Sequence, residues 1–228
     1  LGRPAATPAA SPFHRTGRLI DGIAAGGGEA ASACYDPVRR DRPELFTAHE
    51  RRLLEKLGWY IRWTSWVLAL PEGTEIQERS LPDGYAIRAA AADEYLAVQD
   101  VIEDAFLEWS VRERETLDDF LAKTVHRTGF EPWMMRVVVT ETGDIVGAAM
   151  LVMYADGAEA FIDQLAVRRD QRGLGLGQAL LVDAFARGRE HGASRSALST
   201  DSRTGALGLY EKVGMEVTDV WLNRAIDL

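Results

Sequence analysis

Gln171-Arg172-Gly173-Leu174-Gly175-Leu176-Gly177 stacks three glycines between an apolar strand and an amphipathic helix. The strand before it reads Ala160-Phe161-Ile162-Asp163-Gln164-Leu165-Ala166-Val167. The helix after it carries Leu176, Leu180, Leu181, Ala184 and Phe185 on one stripe and is predicted to end at Gly192. The first turn of a helix has amides without intrahelical partners, and the aligned peptide dipoles add partial positive charge there. An anion therefore docks without needing a basic side chain. Glycine at such a junction lets a phosphate approach the amides closely.

Spacing narrows the phosphate ligand. A nucleoside-triphosphate loop needs Lys and Ser/Thr after its last glycine, and Gln178 and Ala179 stand there instead. A dinucleotide fingerprint needs Gly-x-Gly-x-x-Gly and an acidic residue at the end of the next strand. The second and third glycines are too close for it, but Asp201 lies just past Arg195–Ser199, so that reading stays open.

The spacing Arg172-x-x-Gly175-x-Gly177 resembles the acyl-CoA signature of the GNAT superfamily of N-acyltransferases. Ala206-Leu207-Gly208-Leu209-Tyr210-Glu211-Lys212-Val213-Gly214-Met215 resembles that family's last helix and the turn into its final strand. From about Leu81 to Leu228 the chain fits the family element by element. The resemblance implies an α/β fold, with a central mixed, mostly antiparallel sheet flanked by helices, and acetyl-CoA as cosubstrate.

Composition sets the bounds. The chain has 228 residues, 46% of them hydrophobic, which is enough for a substantial core, and a formal net charge of −9. That charge argues against a nucleic-acid partner, although a local anion site remains compatible with it. A single cysteine, Cys34, excludes an intrachain disulfide and points to a cytoplasmic setting. No apolar run approaches the roughly 20 residues of a membrane span, so no membrane partner is expected.

Along the chain, residues 1–42 read as a flexible low-complexity tail rich in Ala, Gly and Pro. Glu44–Leu57 has helical periodicity ending at Gly58, and Trp59–Leu70 has strand composition. Leu54-Glu55-Lys56-Leu57-Gly58-Trp59 echoes Tyr210-Glu211-Lys212-Val213-Gly214-Met215, each followed by a strand. Residues 43–80 are therefore expected to be a helix–strand remnant of a first GNAT-like domain plus a linker, and residues 81–228 a complete acyltransferase domain. Within the latter, Tyr85–Ala89 is a strand, Ala92–Trp109 and Leu117–Val125 are helices, and Met135–Thr140 and Ile145–Tyr154 form a hairpin around Gly143-Asp144. With the strand, helix, strand, helix and strand that follow, the order is β-α-α-β-β-β-α-β-α-β.

Acyl transfer to an amine needs a deprotonated nucleophile, an oxyanion site and a proton for the leaving thiolate. By its match to the family motif, Tyr210 is the expected acid. The backbone amides of Leu165, Ala166 and Val167 are the expected sites for pantetheine and thioester, and Arg172, Gly173, Leu174, Gly175, Leu176 and Gly177 for the pyrophosphate. Arg168 and Arg169 are further candidates for the phosphates. Asp163, read as sharing a strand face with Leu165, is the candidate base, with Glu159 or ordered water as alternatives. Asp201 or Ser202 stands where the family often has Asn and is expected to cap the last helix. His126 and His191 match no motif, and His191 suits a helix C-terminus. The loop Glu108–Glu115 is expected to face the acceptor, and its acidic residues with Trp109 suit a cationic, partly apolar amine of a small molecule or peptide. A non-catalytic acyl-CoA-binding protein and O-acyl transfer remain alternatives, and a homodimer is left open.

Overall fold

The protein is described by a computed structural model covering residues 34–39 and 48–227. Its strands are β1 (Cys34–Arg39), β2 (Tyr60–Leu70), β3 (Tyr85–Ala89), β4 (Met135–Thr140), β5 (Ile145–Tyr154), β6 (Glu159–Val167), β7 (Arg195–Asp201) and β8 (Glu216–Ala225). Its helices are α1 (Ala48–Lys56), α2 (Tyr95–Leu107), α3 (Leu117–Lys123), α4 (Leu176–Glu190) and α5 (Leu207–Glu211). From β3 onward this is the expected order. The hairpin strands β4 and β5 have the predicted limits, because a turn read from four adjacent residues is local information.

Among the described residues the eight strands form one sheet in the order β1-β8-β2-β7-β6-β5-β4-β3. Only β6 and β7 run parallel, joined by the α4 crossover, and the sheet is otherwise antiparallel. On one face α4 buries Leu176, Leu180, Leu181, Ala184 and Phe185 against β5 and β6. Burial of each large apolar side chain contributes about 1.5–3 kcal/mol, so this stripe holds the glycine loop against the sheet. Arg136 of β4 ties the helix further, its Nε donating to Asp183 Oδ2 at 2.6 Å. On the other face α2 buries Val98, Val101 and Ile102 over β4, β5 and β6. It leaves the β7–β2–β8 part of the sheet to other neighbours.

Two expectations about organisation are corrected. Cys34–Arg39, placed in the tail, forms a strand registered along β8 from Arg224 to Asp219. The boundary expected at residue 81 does not separate two sheets: β2, from the segment 43–80 expected as a helix–strand remnant of a first domain plus linker, supplies a central strand of the same sheet. Strand β2 lies between β7 and β8, and Val67 to Leu70 are buried. The two echoing strands, β2 and β8, are direct antiparallel neighbours, each entered through a glycine of positive φ, Gly58 and Gly214. Strand composition identifies an element but not its partner, since pairing is set by contacts distant in sequence. The remainder of the expected tail and the first residues of the first helix, including Leu45 and Phe46, lie outside the described residues.

Candidate active site

Strands β6 and β7 pair only from Glu159–Arg195 to Ile162–Leu198. Beyond that their C-terminal halves diverge, and a cavity of about 820 Å³ opens between them, with the glycine loop at one end and Tyr210 and the β7–α5 segment across from it. This volume is within the range of small-molecule sites. Asp163, Leu165, Ala166, Val167, Arg172, Gly173, Gly175, Leu176, Gly177 and Tyr210 all line it, although they come from four different elements or loops. Leu174 does not: its side chain is 46% exposed, leaving only its backbone to serve the site.

The loop is shaped by backbone conformations that only glycine adopts cheaply. Gly173 (φ 82) and Gly175 (φ 80) are left-handed, and a Cβ on either would meet nothing within 4 Å. They are kept for conformation and for the open space in front of their amides, a geometry that fits a phosphate. Gly177 differs, since a Cβ there would come within 3.3 Å of Leu209 Cδ1, so it allows α4 to approach α5. The loop is pinned from β3, where the Tyr85 hydroxyl donates to Gln171 Oε1 at 2.6 Å.

Strand β6 presents its backbone selectively. The Arg168 amide donates to Val146 of β5 at 2.8 Å, so strand alternation turns the Ala166 amide to β5 as well and the amides of Leu165 and Val167 toward the cavity. Of the three amides expected as donors, two therefore face the cleft. A bulge explains the position of Asp163. Met150 pairs with Gln164 and Leu151 with Ile162, so Asp163 is the extra residue. The expectation that it shares a face with Leu165 fails, because the inserted residue puts Ile162 and Leu165 together on the α4 side. Asp163 lines the cavity as an exposed residue of β6; the protein atoms around the cleft raise its carboxyl above the ordinary range, an effect that its exposure to solvent moderates and that the Arg127 charge opposes. Glu159, the alternative base, is buried at the other end of β6 in an ion pair with Arg195 (3.2 Å) and does not line the cavity.

Tyr210 is buried on α5 with its ring in the core beside α4. Burial raises its phenol above the usual value, and a hydrogen bond with the Thr200 side chain opposes this. The expected helix cap is corrected. Helix α5 begins at Leu207, Ala206 caps it without a side chain, and the Ala206 amide donates to Thr204 Oγ1 at 3.2 Å. Ser202 accepts instead from the Thr64 amide, and Asp201 binds Arg203 through both carboxylate oxygens. No side chain caps α5, so neither Asp201 nor Ser202 holds the expected role.

The basic residues near the loop are engaged locally. Arg172 makes a bidentate pair with Glu108 (2.7 and 2.8 Å) and donates through Nε to the Val167 carbonyl. Arg168 pairs with Asp170. Sequence reading missed the Glu108 partner because it is sixty-four residues away, at the end of α2. It also missed Arg203, whose guanidinium lies 4.0 Å from the Trp63 ring centre and 4.8 Å from that of Trp109. His191 caps α4 and stacks on Trp133, away from the cavity lining. Among the described residues no cluster suits a metal ion and no helix is long and apolar enough to cross a membrane.

Residues 96–215 match the family model described as "Acetyltransferase (GNAT) family". The chain is 25% identical over 166 residues to the mycothiol acetyltransferase of Saccharopolyspora erythraea, covering 71% of this chain and 54% of that protein. A GCN5-related N-acetyltransferase from Sphaerobacter thermophilus superposes with a TM-score of 0.70 at 26% identity, over 87% of this chain and 61% of the other. A tandem GNAT protein from the clavulanic acid biosynthesis pathway superposes at 0.58 with 16% identity, over 86% and 64%, a likeness of fold. The chain thus spans about half the length of its curated relative.

Proposed function

Because the chain belongs to the acetyltransferase (GNAT) family, we propose that it moves an acetyl or short acyl group from acyl-CoA to the amine of a small molecule or peptide by direct attack. The observation that carries this reading is that one cavity gathers the glycine loop, the diverging ends of β6 and β7, and Tyr210.

In this reading the amides at the start of α4 hold the pyrophosphate, and the amides of Leu165 and Val167 bind the pantetheine arm and the thioester oxygen. Donors fixed in a strand stabilise a developing oxyanion without reorganising. An alkylammonium of pKa ~10.4 must lose a proton before or during attack, and Asp163, directly or through water, accepts it. The amine nitrogen then bonds to the thioester carbon, the tetrahedral intermediate collapses with rupture of the C–S bond, the Tyr210 phenol gives its proton to the departing sulfur, and the second proton shed by the acylated nitrogen returns the phenolate to a phenol. The direction of each shift suits its part, since a carboxylate with a raised pKa is a stronger base and a protonated phenol remains available as an acid.

The test begins with thermal stabilisation by acetyl-CoA, by free CoA and by NAD. Acetyl-CoA is expected to stabilise the fold, and stabilisation by NAD alone would overturn the reading. Release of CoA is then followed by chromatography over a panel of amines, to which mycothiol-related compounds are added on the name of the curated relative. Stabilisation without turnover on any amine would mark a binding protein instead of an enzyme.

A further inference from the structure

Arg203 contacts two indoles, Trp109 of the cleft lining just past the end of α2 and Trp63 of β2, which does not itself line the cavity. Its Nε and one terminal nitrogen bond the two carboxylate oxygens of Asp201 at 3.0 and 2.5 Å. Asp201, Arg203 and Trp109 all line the main cavity. Trp63 has a second guanidinium, that of Arg62, 4.9 Å from its ring centre. The Asp201 side chain is only 13% exposed, so losing Arg203 without replacement would strand a nearly enclosed carboxylate. Two aromatic faces with a carboxylate at their base are what recognition of a cation requires, and here the chain's own cation occupies the place.

We propose that Trp63, Trp109 and Asp201 form a cation-recognition subsite for the acceptor, and that Arg203 is its tethered resident, displaced by an acceptor carrying a second cationic group. The inference rests on the acyltransferase reading and deepens it to a class of acceptor: an amine with a distal guanidinium or ammonium. Exchange of one cation for another keeps Asp201 paired and both rings covered, so a dication enters without the electrostatic cost met by an acceptor that has no second cation. The acceptor's reacting nitrogen is the one that loses its proton, while the distal cation remains charged in the slot.

The probes are agmatine, which has a primary amine and a guanidinium, and n-butylamine, which lacks the second cation. Binding is measured by calorimetry on the full chain saturated with CoA. Arg203→Ala is expected to tighten binding of agmatine, which can fill the slot and the reacting position together, about tenfold more than binding of n-butylamine, whose single ammonium fills only one of them, and adding Trp109→Ala is expected to abolish that difference. Arg203 is a partly exposed loop side chain, and a matching melting profile of the variant checks that the fold is kept. An unchanged agmatine-to-butylamine ratio, or equal weakening of both, overturns the proposal and makes Arg203 a positioning residue for the loop. The binding readout needs no turnover, so absence of acetyl transfer would count against the enzyme reading and leave the slot standing. Turnover without preference for dications would do the reverse.

Discussion

Replacing Tyr210 with Phe removes one oxygen from the proposed acid and changes little else. The ring is 8% exposed and packs in the core beside α4, so Phe fills the same volume in the same rotamer. The loss on the stability side is one hydrogen bond with Thr200, a net of about 1 kcal/mol. For a chain of this size that lowers Tm by roughly 2–4 °C. On the catalytic side, a positioned general acid contributes on the order of 10²–10⁴-fold. A hundredfold fall in kcat corresponds to about 2.7 kcal/mol of barrier, well above the stability effect.

The assay is thiol release at saturating acetyl-CoA on an amine that turns over, with donor affinity taken from calorimetry. Tyr210→Phe is expected to lower kcat at least about a hundredfold while the donor Kd changes less than about threefold, since the phenol meets sulfur mainly as charge develops there. The pH profile supplies a second reading. Desolvation, the larger influence, raises the phenol above 10, so the wild-type protein keeps the proposed acid protonated through mildly alkaline pH, and no alkaline limb from Tyr210 is expected below 10. A variant with wild-type kcat and wild-type donor affinity would show that the thiolate obtains its proton elsewhere.

Gly175→Ala puts a side chain at φ 80 into the open space before the helix, so acetyl-CoA affinity is expected to fall by calorimetry, with about 1 kcal/mol of stability lost to the left-handed backbone. Gly188→Ala would place its Cβ 2.5 Å from Ala160 Cβ, forcing α4 off β6; overpacking of this kind costs about 1–3 kcal/mol, read as a lower Tm. Glu108→Gln releases Arg172 from its bidentate partner, so acetyl-CoA is expected to bind about threefold more tightly if that guanidinium turns to the phosphates, and a weaker Kd would refute this use of Arg172. Asp163→Asn is expected to remove the acidic limb of the pH–rate profile and, at neutral pH, to raise Tm. The folded-state pKa of Asp163 lies above its unfolded value, so the native state binds more protons in the window between them and stability falls as pH rises through it; the gain from Asn should disappear below about pH 3.8.

The parts of the fold and site that were legible in the sequence depend on neighbours in the chain. The β4–β5 hairpin announces itself through Gly143-Asp144, the α4 stripe through the spacing of Leu176, Leu180, Leu181, Ala184 and Phe185, and the phosphate loop through its glycines. What was hidden depends on partners brought together by folding. The placement of β2 between β7 and β8 is invisible to composition, because Val67–Leu70 would suit any buried position in any sheet. The bulge at Asp163 leaves no mark in the alternation of Ala160–Val167, yet it decides which side chains share a face. Gly188 resembles an ordinary weak point in a helix until Ala160 is found beneath it. A pattern of apolar residues fixes that a surface is buried, while the identity of its partner is a long-range choice.

The two residues that end α2 and follow it connect these hidden contacts. Glu108 reaches the glycine loop through Arg172, and Trp109, the next residue, reaches the β7–α5 segment through Arg203. One short stretch of chain therefore touches both walls of the cleft, the donor's phosphate end and the side proposed for the acceptor. Each contact uses an arginine already satisfied by a carboxylate, Glu108 for one and Asp201 for the other. A ligand that takes either arginine must compete with a bidentate pair and, in doing so, frees one of two adjacent residues. The glycine loop thus accounts for only half of the proposed site: recognition of the donor would rest on backbone, whereas the proposed acceptor side rests on ion pairs and indoles that would exchange partners.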